Sequence, residues 1–265
     1  MDTKNRCAYV DVQDSQVHYR YAGDVGPVLA CFHQTPLSSR MYERALPELG
    51  TRLQVYAFDT PGYGGSTPPT GSPTVAGYAA QLLGAMDTIG LERVAVCGFA
   101  TGAAIAAEVT RQLGGRATHL VLSGTPLLSD SRLKMFAERL GKPSLDAGGV
   151  YLQQVWESRV ENYGAGSDLD QVQMAVSETL RAYDRYHWGL LAVAGYDLAA
   201  TLCGLDVPTL FINAEHDKLA TENRDAANLV IGAREVFLPQ AQPQVCWTDP
   251  KRFAEQVIKF IDPDG

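Results

Sequence analysis

Unbroken apolar runs alternate with three-to-four-residue periodicities along this chain, and their order predicts a parallel sheet layered with helices. Residues 8–12 and 17–22 alternate polar and apolar around Asp14-Ser15, the pattern of an antiparallel hairpin. Residues 28–32, VLACF, are continuously apolar and read as a strand covered on both faces. Ser38 or Ser39 is placed to cap a helix running to about Leu49, followed by a strand at 53–58 and a glycine-rich loop, DTPGYGGS, from Asp59 to Ser66. Thr74 caps a long helix through Ile89, with Gly90 as its stop. A β-branched run at 94–97 then meets Gly98 and Gly102, which bracket a tight turn, and helix formers fill 103–111. Residues 120–123 give another buried strand, ending in Gly124-Thr125-Pro126.

The period then changes. Between about 128 and 204 the chain shows helical spacing at 136–140, 150–163, 169–186 and 188–202, with no convincing strand between them. The sheet resumes at 207–212, continues at 235–238 and closes with a helix at 251–261. Strands separated by helical crossovers imply a mostly parallel α/β sheet with helices on both faces. The expected division is a core of residues 1–127 and 205–265, with a helical cap, 128–204, inserted between the sixth and seventh strands. No internal repeat or low-complexity segment interrupts this order.

Composition narrows the partners. With 265 residues, 46% hydrophobic and 20% charged, the chain can bury one large core. A formal charge of −8 argues against nucleic acid and anionic membrane as partners. The 5 cysteines are odd in number, widely spaced and free of any C-x-x-C or metal-ligand pattern, as in a reduced, cytoplasmic protein. The N-terminal MDTKNRC lacks the apolar core of a signal peptide, and no apolar run reaches about 18 residues. Neither a metal nor a cofactor is expected: no His/Cys/Asp/Glu group has ligand spacing, and no phosphate-binding glycine motif is present. Oligomeric state is open, a homodimer included.

Five segments in order carry a resemblance: FHQTP after the third strand, DTPGYGGS after the fourth, GFATG in the strand-turn-helix, VPTLFINAEHD in the late strand, and LPQAQPQVCWTDPKRFAEQVIKFI at the end. Together they resemble the α/β-hydrolase superfamily over nearly the whole chain. That resemblance implies the α/β-hydrolase fold and a G-x-S-x-G nucleophile elbow, an acid after a late strand and a histidine after the last one. Here the elbow reads Gly98-Phe99-Ala100-Thr101-Gly102, and alanine has no nucleophilic atom. Asp217 matches the acid. Counting back from Asp249-Pro250 puts Pro243 on the histidine's position, and no histidine lies beyond His216. A serine-to-alanine replacement made to trap substrate would account for Ala100 and not for Pro243. Covalent catalysis through this elbow is therefore not expected.

By position, the resemblance transfers the anion-stabilising amides to Thr101 and Thr35, with Gln34 in place of the usual glycine and free to narrow or supplement that hole. Asp217 is the leading acid/base candidate; capping the helix that begins near Thr221 is its plain structural role. His33 is either a second proton-transfer group or a scaffold residue. His187 lies in the aromatic-rich stretch 183–188, which together with Trp156 offers Tyr183, Tyr186 and Trp188 as a pocket lining above Ala100, or else a helix face packed on the core. Glu215 and His216 read as loop surface, and Asp59 and Ser66 as closers of the glycine-rich loop. The expected function is a cofactor-independent lyase, isomerase or cyclase acting on a hydrophobic carbonyl compound, such as a polyketide-like intermediate. A non-catalytic small-molecule-binding protein and a hydrolase using directly activated water are the alternatives, because one scaffold hosts many chemistries.

Overall fold

The computed structural model describes residues 3–129, 132, 145–164 and 168–264. Strands β1 (Arg6–Val12), β2 (Ser15–Ala22), β3 (Val28–Phe32), β4 (Gln54–Phe58), β5 (Val94–Phe99), β6 (Ala117–Ser123), β7 (Thr209–Ala214) and β8 (Arg234–Leu238) form one sheet. Its order is β1-β2-β4-β3-β5-β6-β7-β8. The β1–β2 and β2–β4 pairs are antiparallel and all later neighbours are parallel. Around it lie α1 (Leu46–Leu49), α2 (Val75–Thr88), α3 (Thr101–Leu113), α4 (Val150–Tyr163), α5 (Leu169–Arg181), α6 (Trp188–Ala194), α7 (Leu198–Cys203), α8 (Ala220–Ala227), α9 (Val245–Thr248) and α10 (Pro250–Ile261). Helices α4 to α7 thus follow β6 and precede β7 in the chain.

The apolar runs explain the layering. Every residue of β5 and β7 is buried, as a strand covered on both faces requires. One face packs Phe32, Val96 and Leu122 against Tyr78 and Leu82 of α2 and Ile105 of α3. The other packs Leu29, Cys31 and Val121 against Leu46 of α1 and Phe253 and Val257 of α10. Each such side chain contributes about 1.5–3 kcal/mol by leaving water. Caps stand where the sequence places them: Thr74 accepts from the Gly77 amide at 3.0 Å, and Asp249 from that of Arg252 at 3.3 Å.

Four expected elements differ. Val12 pairs with Ser15, so the hairpin turns on Gln13-Asp14 rather than Asp14-Ser15. The helix expected from Ser38 or Ser39 to Leu49 is two short pieces: a turn at Ser39–Tyr42 capped by Ser38, and α1, where Pro47 cannot supply the amide that a continuous helix needs. The 169–186 pattern stops helically at Arg181, since the next turn is tied to the core through Tyr63, whose hydroxyl donates to Arg185 O at 2.9 Å. The 188–202 pattern breaks after Ala194, and Asp197 caps a new start by accepting from Ala200 N at 2.9 Å. The helix expected at 136–140 lies outside the described residues. No helix among the described residues is long and apolar enough to cross a membrane.

Candidate active site

Parallel register gathers the chemistry at one sheet edge. Phe32 pairs with Gly98, Phe99 with Ser123, and Ser123 with Ile212, so the loops leaving β3, β5, β6 and β7 emerge together at their carboxyl ends, where open α/β sheets bind ligands. At the centre Ala100 holds φ 51° and ψ −120°, a left-handed conformation that costs an L-residue about 1–3 kcal/mol. The turn survives because it is held from below: Ala100 N donates to Ser123 O at 3.0 Å, and any side chain at Gly98 or Gly102 would collide with the Gly102 carbonyl or with the backbone of Phe32. Helix α3 starts immediately after, with no side-chain cap, leaving its first amides directed at this edge.

The oxyanion hole implied by the resemblance needs correction. Thr35 N donates to Thr101 Oγ1 at 2.6 Å and Thr35 Oγ1 lies 3.0 Å from the same oxygen, so the Thr35 amide is committed within the protein. The Thr101 hydroxyl is turned toward β3 and away from the apex. Of the transferred donors, the Thr101 amide at the start of α3 is the one without a side-chain competitor. The Gln34 side chain is half-buried and engages no partner among the described residues.

His33 is fully buried, and its ring is spoken for at both nitrogens: Thr60 N donates to Nε2 at 2.9 Å, and Nδ1 faces Gln34 O at 2.9 Å. The bonds fix the neutral tautomer with the proton on Nδ1, and burial pushes its pKa down. No nitrogen remains to move a substrate proton, which corrects its candidacy. Asp59 and Ser66 close the glycine-rich loop. Asp59 accepts from Ser39 N at 2.6 Å, from Gly65 N at 2.7 Å and faces His18 Nδ1 at 2.7 Å, while Ser66 Oγ donates to Asp59 O at 2.8 Å.

Asp217 stands differently. Its Oδ1 accepts from Leu219 N at 2.9 Å, just ahead of α8, but Oδ2 is sealed from solvent with no hydrogen-bond partner among the described residues. A side chain built on Gly124 would meet that oxygen at 3.1 Å and the Phe99 ring at 3.3 Å, which places Oδ2 beside the end of the elbow strand. Burial raises its pKa, opposed by the Leu219 amide. In the loop after β8, buried Gln244 holds φ 58°, donates through Nε2 to Tyr163 Oη at 2.9 Å, and accepts from Gln171 Nε2 at 3.0 Å. An amide relay therefore occupies the loop that, by the resemblance, would hold a histidine.

The inserted helices divide the aromatic candidates. Tyr63 accepts from Gly189 N at 2.8 Å, and Gly189 itself presses on Thr35 so closely that no Cβ would fit. The turn before α6 is thereby seated on the β3 loop. Trp188 packs over Gly62 of the glycine-rich loop, 3.6 Å from where a Cβ would stand. His187 meets the Tyr186 ring edge-on at 5.6 Å; its Nδ1 is sealed without a partner, and burial pushes its pKa down against Asp184. Tyr183 meets Tyr151 edge-on at 5.7 Å. Trp156 is corrected: it is 39% exposed, because the buried stripe of α4 is Tyr151, Val155 and Tyr163, one residue out of phase with it. The same stripe carries Arg159, which sequence reasoning missed, although its spacing of four from both Val155 and Tyr163 was the available signal. A cavity of ≈ 490 Å³ at the joint where the chain leaves β6, lined by Pro126, Leu127, Val193, Tyr196 and Leu198, includes none of the predicted site residues. No metal-holding group of three His, Cys, Asp or Glu occurs among the described residues.

A family model described as alpha/beta hydrolase fold matches residues 27–250, and the chain belongs to that family. It is 34% identical over 98 residues to a fluoroacetate dehalogenase of Burkholderia sp., covering 35% of this chain and 32% of that enzyme, so it matches about a third of that relative's length. With a non-heme haloperoxidase of Rhodococcus erythropolis it shares 25% identity over 270 residues, covering 94% of this chain and 96% of the relative. A solved hydrolase structure from Pseudomonas aeruginosa superposes with a TM-score of 0.82 at 23% identity, covering 97% and 98% of the two chains, a likeness of fold.

Proposed function

We propose that this protein is a cofactor-independent lyase, isomerase or cyclase for a hydrophobic carbonyl compound, operating without a covalent enzyme intermediate and with Asp217 as its proton-transfer group. One observation supports this most: a buried carboxyl whose Oδ2 has no partner and whose pKa is raised, beside an elbow that presents only the methyl group of Ala100. A carboxyl in that state is a stronger base when ionised and a usable acid when protonated. In the proposed cycle the C–H electron pair next to the carbonyl becomes the enolate and the proton passes to Asp217 Oδ2. The Thr101 amide at the start of α3 faces the developing oxygen charge, with the free side-chain amide of Gln34 as a second donor. Returning the proton to another carbon isomerises or closes the substrate, and expelling a β-substituent makes the reaction a lyase. The inserted helices serve as the cap, residues 128–204, and the five cysteines, all free in the structure, suit work in the cytoplasm.

The test is solvent-proton exchange. In D₂O the wild type is expected to accelerate deuterium uptake next to the carbonyl of 4-phenylbutan-2-one or phenylpyruvate, followed by NMR. Asp217→Asn is expected to lose on the order of 10²–10⁴-fold of it; an unimpaired variant would remove Asp217 from the mechanism. A second reading, hydrolysis by water activated at Asp217, is favoured by the relatives' names, a dehalogenase and a hydrolase among them. Label from H₂¹⁸O in the product would select it.

A further inference from the structure

A half-buried positive charge on α4 has no carboxylate partner among the described residues. Arg159 lies on the inward stripe of α4, at helical spacing from Val155 and Tyr163, and is half-buried with Nε sealed from solvent and lacking a hydrogen-bond partner. No carboxylate pairs with it among the described residues. A guanidinium cannot shed its charge by losing its proton, so its sealed Nε edge stays an unmet donor unless something else supplies the anion. Its surroundings are phenols: Tyr151, Tyr163 and Tyr186 all lie within electrostatic reach. Burial lowers its pKa, and those tyrosines oppose the shift.

The neighbouring phenol is prepared as a donor. Tyr163 Oη accepts from Gln244 Nε2 at 2.9 Å, and Gln244 Oε1 accepts from Gln171 Nε2 at 3.0 Å, so the amide relay fills the lone-pair side of the phenol. The Tyr163 O–H proton itself has no acceptor among the described residues. Three further links bear on where this pair sits. Helix α4 is tied to the Asp217 loop by Lys218 Nζ donating to Glu161 O at 3.4 Å, and Tyr163 shares an apolar cluster with Ala100 and Phe99. Tyr186 belongs to the turn that Tyr63 holds against Thr35. Tyr163 thus borders the loop after β8 through Gln244, and Arg159 lies about one helical turn before it on the same face of α4.

We propose that Arg159 and Tyr163 form a carboxylate-binding subsite, so that the substrate is a hydrophobic acid carrying both a carbonyl and a carboxylate. One guanidinium and one phenol match a planar monoanion through charge-assisted hydrogen bonds, whereas a phosphate dianion would require further cations. The carbonyl half of this assignment rests on the function proposed above; the carboxylate half does not.

Isothermal titration of the full chain with phenylacetate and its neutral isostere phenylacetamide separates them. The wild type is expected to bind phenylacetate roughly tenfold or more tightly than phenylacetamide. Arg159→Met should abolish that preference while keeping or raising Tm, since it removes an unpaired, half-buried charge. Tyr163→Phe should reduce it severalfold, and Asp217→Asn should leave it in place. Should Arg159→Met fail to fold, Arg159→Lys, which keeps the charge and loses the two-pronged geometry, is expected to show a weakened preference. Equal or undetectable binding of the two probes by the wild type, or a preference that survives in Arg159→Met, would overturn the subsite. Loss of proton exchange in Asp217→Asn without any carboxylate preference would sink the subsite alone; a preference without exchange would sink the proton-transfer reading alone.

Discussion

Replacing Asp217 with asparagine separates what this carboxyl costs the fold from what it does. Oδ1 is satisfied by the Leu219 amide, whereas Oδ2 is enclosed beside Gly124 and Phe99 with no donor. Burial raises its pKa, so the folded state holds the proton to a higher pH than the unfolded chain does. For such an acid, folding is favoured most at low pH, and the contribution is lost as pH rises from the unfolded value, about 3.9, through the folded one. At neutral pH the ionised, half-satisfied group therefore destabilises the protein. An ionised group left unpartnered costs more than a neutral amide in the same place, here on the order of 1–3 kcal/mol more. In a domain of this size each kcal/mol moves Tm by roughly 2–4 °C. Asp217→Asn is thus expected to melt roughly 2–12 °C higher than wild type at pH 7, with the gap closing toward about pH 4, even as proton exchange collapses. Thermal unfolding followed by circular dichroism between those pH values measures both the sign and the slope. A lower Tm at pH 7, or a gap that ignores pH, would refute the claim that an unpaired carboxylate is stored here.

Three other outcomes follow from the same geometry. Ala100→Ser should fold and still show no burst with p-nitrophenyl butyrate, because the loop after β8 offers Pro243 and Gln244 where a base is needed; a stoichiometric burst would contradict this. Thr101→Val strips the buried Thr35 amide of its acceptor and should cost about 1–3 kcal/mol in urea unfolding. Glu108, bound by Arg111 and Gln112 on its own helix and by Tyr196 at 2.8 Å, has its pKa lowered to about 2, first by the Arg111 hydrogen bonds against burial and then by Gln112 and Tyr196. It therefore stabilises the fold above its unfolded value, about 4.3, and that support is lost as pH falls through about 2. With Arg111 56% exposed and its pair screened, Glu108→Gln should lose about 1–2 kcal/mol at pH 7 and little at pH 2, read by urea unfolding.

The sheet was legible because its strands are continuous apolar runs and its helices carry their own caps. Where the reading slipped, a local cause or a distant contact decided. Pro47 interrupts a helix whose hydrophobic spacing runs straight through it, and alternation alone does not say which two residues turn the β1–β2 hairpin. The 169–186 and 188–202 patterns were cut by contacts with Tyr63 and by the new cap at Asp197, neither of which periodicity reveals. At the site, motif position led to Asp217, but nothing local announces that Thr101 would capture the amide of Thr35 across a separation of 66 residues. Trp156 drew attention as a large aromatic, while the phase of the same helix turned Arg159 inward instead.

The turn at Ala100 adopts a contorted backbone although it has nothing reactive to display. Its shape is dictated from underneath, by glycines wedged against neighbouring main chain and by the anchoring carbonyl of Ser123. What sits on the summit is consequently a detachable fitting. A scaffold assembled this way can exchange the group it exhibits without learning to fold again, and that independence lets a single architecture move between unrelated reactions.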